Sequence, residues 1–233
     1  LHLSIRRQRQ MCIRDSTELA RRLSDCTGIA FDTETTGKDS LIADLVGISL
    51  SCDGETAYYI PVGHQRGDQL AIPVVLEALR PAMTNPNIPK YCHNADYDLI
   101  MLQRYGLDVT PITFDTMIGE WLRDSRAEMG LKRMVRQRLN LKMTDIDELI
   151  GTGKNQITMD RVAITRVAPY AGDDAAMTYR LVKLIGPQLQ MSSSDPVHDA
   201  LWDVPMRPPA YIMDEIEMPL VPVIAAIEQT DLR

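Results

Sequence analysis

The sequence predicts an α/β fold: a mixed β-sheet, three antiparallel strands and then parallel ones, flanked by helices. Three strand-like stretches come first, with a hairpin signal between the second and third. Beyond Asp68, short apolar strand signals alternate with segments of helical period, the pattern of strands joined by covering helices. At 233 residues the chain is long enough for one large domain with a substantial core.

Each element has its own signal. "STELARRL" from Ser16 predicts a short helix, opened by a Ser/Thr cap and an acid in its first turn. "GIAFDTETTG" reads as a strand that ends in a Gly turn. "LIADLVGISLSCDG" and "TAYYIPVG" are the next two strands, joined through "CDGE". "DQLAIPVVLEALRPAM" has helical spacing, and "IPKYCHN" is a short buried strand. "ADYDLIMLQRYG" is a helix stopped by Gly106, and "ITFDTMIGEWL" starts as a strand and passes into a helix. Residues 125–190 are mostly helical, with "MGLKRMVRQRLNL" and "APYAGDDAAMTYRLVKLIG" the clearest pieces. "SSSDP" and "VPMRPP" predict a linker or loop over 191–212, and "DEIEMPLVPVIAAIEQ" a final helix. That helix stops at the chain end without a cap, as a fragment's would, and its Leu220, Val221, Val223 and Ile224 are expected to be exposed for want of a packing partner. The leader 1–16 is rich in Arg, and its pattern does not continue into the helix at Ser16. It reads as a disordered or artefactual tail outside the fold.

Composition narrows the function. Charged residues make up 24% and hydrophobic ones 45%, ordinary for a soluble globular protein. A net charge of −7 argues against a protein that coats nucleic acid, but not against an enzyme that grips a nucleic-acid end through metal ions. The cysteines Cys12, Cys26, Cys52 and Cys92 form no CxxC pair. Structural zinc is not expected, nor is a disulfide framework, and the thiols are read as reduced in a cytoplasm. No apolar run approaches the roughly 18–20 residues of a membrane span, and "LHLSIRRQRQ" is no signal peptide.

The chemistry lies in the acids. In "FDTETTG", Asp32 and Glu34 project from one face of a strand, where like charges this close demand a cation. In "HNADYDLIML", Asp98 shares a helical face with Leu102 and Tyr105, whereas Asp96 belongs to the helix N-terminus. In "YAGDDAAMTYRL", Tyr170 and Asp174 are four apart on a face continued by Met177 and Leu181; Asp173 sits one step round, nearer Arg180. Each acid alone reads equally as a cap or a solvated charge. Together, four carboxylates and a tyrosine at the mouth of a sheet make an oxygen-rich site for two Mg2+ or Mn2+ ions.

This set resembles the three exonuclease motifs of the DEDD superfamily in its tyrosine-bearing subclass. More closely, it is similar to the proofreading domain of family A DNA polymerases. "LVGISLS", "YYIPVGH", "TFDTMIGEWL" and "LKRMVRQRLNLKMTDIDELIG" fall in that family's order, and "EIEMPLVPVIAAIE" resembles the opening of its polymerase domain. The resemblance covers about residues 17–233. It implies an RNase H-like exonuclease domain over 17–190 and a truncated start of a polymerase domain over 213–233. The implied reaction releases nucleoside monophosphates from the 3′ end of single-stranded DNA. The implied partners are that DNA end and the polymerase domain, with a cytoplasmic, nucleoid-associated location and no membrane. By resemblance, Asp32, Glu34 and Asp174 hold the tighter metal, Asp98 acts on the second through water, and the Tyr170 hydroxyl orients the attacking water. Thr35 and Asn94 are candidates to contact the terminal nucleotides. Thr33 is assigned to packing and His93 to local hydrogen bonding.

Three alternatives stay open. "HDALWD" gives His198 and Asp203 the spacing of the histidine-bearing subclass, although Pro205, Pro208 and Pro209 come directly after it. A ribonuclease D-like enzyme uses the same residue set on RNA. A catalytically inactive domain that braces a polymerase is the third.

Overall fold

The strand signals of the first half condense into a six-stranded mixed sheet. In the computed structural model the described residues are 7–10, 16–190 and 207–230. The strands are β1 (Arg7–Gln10), β2 (Ile29–Thr35), β3 (Leu45–Ser51), β4 (Thr56–Pro61), β5 (Lys90–Cys92) and β6 (Ile112–Asp115). Around them lie α1 (Ser16–Ser24), α2 (Ile72–Met83), α3 (Ala95–Arg104), α4 (Thr116–Arg123), α5 (Leu131–Leu139), α6 (Ile146–Ile150) and α7 (Ile164–Leu189). α8 (Pro209–Ile212) runs through a π-helical turn (Met213–Glu217) into α9 (Met218–Thr230).

The sheet order is β1-β4-β3-β2-β5-β6. β2, β3 and β4 pair antiparallel, and β2, β5 and β6 pair parallel, as the sequence predicts. The "CDGE" turn closes because Asp53 accepts from the amides of Glu55 (2.8 Å) and Thr56 (2.7 Å), while Gly54 takes φ +73°. β3 is buried along its whole length, Ser49 and Ser51 included.

α7 packs across β2, β3 and β4. Its small residues Ala171, Ala175 and Ala176, all fully buried, let the helix lie close to the strands. The main core joins the sheet to the flanking helices. A second, smaller core of Val46, Tyr59, Val162, Val167 and Ala171 lies around Tyr170. Within it, the Tyr59 hydroxyl lies 2.7 Å from His64 Nε2, and His64 Nδ1 lies 3.1 Å from the Val162 carbonyl. This buried chain ties β4 to the segment that leads into α7.

The structure corrects four expectations. Part of the leader belongs to the sheet: Arg7–Gln10 pair parallel with β4, from Arg7↔Thr56 to Gln10↔Tyr59. Backbone pairing on an open edge needs no apolar period, so the pattern could not show it. Cys26 and Cys52 form a disulfide, Cα atoms 5.8 Å apart, because the turn after α1 meets the end of β3, a proximity their spacing hides. Cys92 is free and buried. The expected linker over 191–212 is helical in its last four residues, where Pro209 occupies the first helical position that Pro tolerates. Residues 191–206, with His198 and Asp203, lie outside the described residues, so the histidine alternative does too. Finally, Val221, which the sequence groups with the exposed apolar positions of the last helix, is buried as α9 packs on α3. Leu220, Val223 and Ile224 do remain exposed. No helix among the described residues is long and apolar enough to cross a membrane.

Candidate active site

β2 and β5 are parallel neighbours, so the carboxyl end of β2 and the start of α3 after β5 open on the same edge of the sheet. Such an edge is where open α/β sheets place ligands. Asp32 and Glu34 sit on β2 two positions apart. Asp174, brought across by α7, joins them: one carboxylate oxygen from each lies within 4.8 Å of the others. Glu34 and Asp174 are buried and Asp32 is half-buried. Of the adjacent acids, Asp174 and not Asp173 enters the cluster, as the helical face predicts.

Asp98 stands at the edge of this group and is anchored differently. β5 pairs with β2 only through Ala30, so further along β2 the amides on that side have no partner in β5, although β3 still pairs with β2 on the other side. Asp98 supplies the missing acceptor: its Oδ1 takes the Thr33 amide at 3.0 Å and the Thr33 hydroxyl as well. Thr33 therefore does more than pack. α3 is aimed by Asp115, whose carboxylate accepts from the Ala95 amide (2.7 Å) and from the first amides of α4, Met117 and Ile118. "TFDTM" thus carries a structural acid that holds two helix starts together.

The electrostatics come from crowding buried acids. Burial pushes Asp32, Glu34 and Asp174 well above the usual carboxylate range. Mutual repulsion adds to it: Asp98 on Asp32, Asp32 and Asp174 on Glu34, and Asp32 on Asp174. Asp98 is pushed up to about 7 by burial, against the opposing pull of its Thr33 hydrogen bonds. Lys132, on α5, works the other way and favours the ionised forms of Asp32, Glu34 and Asp174. Asp174 Oδ1 is buried without a hydrogen-bond partner. A buried, unsatisfied carboxylate oxygen beside two further carboxylates is the donor set a hard divalent cation takes. The residues present fit such an ion.

Tyr170 is buried one helical turn before Asp174, with its hydroxyl beside that carboxylate. Burial and then the charge of Asp174 raise its ionisation far above the ordinary tyrosine value, so it stays protonated. Lys132 Nζ donates to the Tyr170 hydroxyl at 3.1 Å and lies 4.1 Å from the ring centroid. The sequence pattern does not reveal Lys132. A lysine in a helix rich in Arg and Lys carries no signal that singles it out.

The other candidates are placed less directly. Thr35 lines a cavity of about 550 Å³ next to Glu34, with Tyr97, Ile146, Ile157 and Met159 on its walls. The Thr35 and Tyr97 hydroxyls both donate to the Gly37 carbonyl, at 2.8 and 2.6 Å. Asn94 is exposed in a left-handed conformation (φ 68°) at the start of α3, a geometry Asn tolerates better than most residues. It does not line that cavity. His93 lies within hydrogen-bond reach of the Thr116 hydroxyl at 2.8 Å, with its pKa lowered to about 4 by burial. It is a local hydrogen-bonder, as expected.

Comparison with known proteins agrees with this geometry. Residues 11–190 match the 3′-5′ exonuclease family model. The chain is 37% identical over 226 residues to DNA polymerase I of Chloroflexus aurantiacus, covering 95% of this chain and 22% of that protein. It is 32% identical over 217 residues to DNA polymerase I of Pseudomonas aeruginosa, covering 90% and 22%. It thus spans about a fifth of the length of these relatives. Among solved structures it is similar to Pol1 from M. smegmatis (TM-score 0.67, 14% identity, 94% of this chain and 31% of that one). It is also similar to Escherichia coli RNase D (TM-score 0.62, 18% identity, 95% and 50%), and these likenesses support the RNase H-like fold. The chain belongs to the 3′-5′ exonuclease domain family that DNA polymerase I carries.

Proposed function

We propose that the site hydrolyses the 3′ end of single-stranded DNA to nucleoside monophosphates, as the proofreading part of a DNA polymerase I. The observation that carries this reading is the meeting of Asp32, Glu34 and Asp174 within 4.8 Å, with one buried Asp174 oxygen unsatisfied. These three would hold one Mg2+ or Mn2+, and Asp98 would serve a second through water. Divalent cations, when bound, supply Lewis-acid polarisation of the phosphodiester and an acidified water. The chain's own groups do the positioning. Tyr170, kept protonated, offers its hydroxyl to orient the attacking water, and Glu34 accepts a second hydrogen bond from that water. Lys132 holds the Tyr170 hydroxyl by donating to it.

The cavity beside Glu34 has room for the terminal nucleotide, with Tyr97, Ile146 and Ile157 as an apolar wall for a base and Thr35 at its rim. Asn94, exposed at the start of α3, is a candidate contact to the next nucleotide. Contacts of this kind read phosphate and stacking rather than sequence, so frayed ends of any sequence are substrates. The exposed positions Ile216, Leu220, Val223 and Ile227 of the C-terminal helix are proposed to face the polymerase domain, which would place the protein on DNA in the bacterial cytoplasm.

The test is a 5′-labelled single-stranded DNA and the matching RNA, each with manganese and with chelator. A ladder shortened from the 3′ end, faster on DNA and abolished by chelator, is expected. A faster rate on RNA would favour the ribonuclease D-like alternative. No shortening of either strand would leave only a bracing role.

A further inference from the structure

Cations are concentrated on one side of the site although the whole chain carries a net charge of −7. A groove of about 590 Å³ runs beside α5 and the turn after it, lined by Lys132, Arg133, Arg136 and Lys142, with Glu128 and Asp145 as its acids. The acids are already engaged. Glu128 takes Arg133 (2.8 Å) and the Gln137 amide (3.2 Å), and Asp145 caps α6. Arg136 and Lys142 are exposed, and among the described residues neither has an ion-pair partner. The groove therefore presents uncompensated positive charge to whatever enters it.

Lys132 belongs to both places. It lines this groove, and its Nζ reaches the Tyr170 hydroxyl beside Asp174. Lys132 thus links the groove to Tyr170 beside the carboxylate cluster, and no residue lines both this groove and the apolar cavity at Thr35 and Tyr97. The two hollows differ in the way the two parts of a nucleotide chain differ: one has apolar walls suited to a base, the other cations suited to phosphates.

Building on the proposed nuclease function, we propose that the α5 groove carries the sugar–phosphate backbone of the nucleotides upstream of the one being cut. Arg136 and Lys142 contact consecutive phosphates, and Lys132 stands at the seam where the strand enters the site. Each phosphate neutralised releases counterions, so affinity falls with salt in proportion to the contacts made, with a slope of about 0.7 per contact for a single strand.

The test combines a binding series and a minimal substrate on wild type and the Arg136→Ala/Lys142→Ala double variant. Both positions are exposed, and a matching thermal melt checks that the variant is folded. Anisotropy of a labelled oligothymidylate of about twelve nucleotides, in chelator, gives affinity against salt. The double variant is expected to bind about tenfold more weakly at ~0.1 M salt, with the salt slope reduced by about 1.4. Hydrolysis of the p-nitrophenyl ester of thymidine 5′-monophosphate, which has no upstream phosphates, is expected to be unchanged. Wild-type affinity and slope in the variant would overturn the strand path. So would a loss of ester hydrolysis with oligonucleotide binding intact, because these residues would then act within the site itself. If wild type fails to hydrolyse the ester at all, the nuclease reading falls, while the binding series still decides the groove.

Discussion

Asp174 shows what a single residue contributes here: a carboxylate without a hydrogen-bond partner for one oxygen, pressed against Asp32 and Glu34. Removing a charge that is repelled on two sides relieves strain instead of creating it. Asp174→Ala is therefore expected to lower the rate of nucleotide release by orders of magnitude while the urea midpoint stays equal or rises. A near-normal rate would remove Asp174 from the site. Tyr170→Phe keeps the ring and its contact with Lys132 but loses the hydroxyl, and should cost about tenfold to a hundredfold in kcat with KM little changed. A loss equal to that of Asp174→Ala would show that the hydroxyl does more than orient water. These acids were legible in the sequence because carboxylates on apolar faces are unusual. Lys132 and the Thr33 to Asp98 bond were not: Lys132 is one cation among many on its helix, and the bond depends on where β5 ends.

Among the elements, the fit of β3 and β4 beneath Tyr170 is decisive. Gly47 on β3 faces the ring of Tyr59 on β4, and a Cβ there would collide with that ring and its hydroxyl. Gly47→Ala is expected to displace Tyr59 from His64 and destabilise the fold by about 1–3 kcal/mol, read from the urea midpoint. An unchanged midpoint would mean the ring moves freely and the small core is not a fixed support for the site. The strands and helices were visible in their periods, and the hairpin in its "CDGE" turn. Pairing of Arg7–Gln10 with β4 and the Cys26–Cys52 bond were not, because both join segments distant in sequence that carry no local pattern.

For the whole molecule, the acid cluster couples stability to pH and to metal. Burial raises the folded pKa values of Asp32, Glu34 and Asp174, and brings Asp98 to about 7. Such groups contribute stability that is fully present below their unfolded values near 4 and is lost as pH rises through the folded values. Without metal, the fold should weaken as pH rises above about 4, with Asp98 losing its share as pH passes about 7. A divalent cation that binds the ionised cluster offsets the loss, by about 2.7 kcal/mol at a hundred times its Kd. The difference in Tm between manganese and chelator should be near zero at about pH 4.5 and several degrees at about pH 8. An equal difference at both would place the metal elsewhere. The most direct measurement is anomalous diffraction from crystals soaked in manganese at a concentration that supports hydrolysis. The account predicts a peak bonded at about 2.2 Å to carboxylate oxygens of Asp32, Glu34 and Asp174. An active enzyme whose only manganese peaks lie away from those three residues would contradict it.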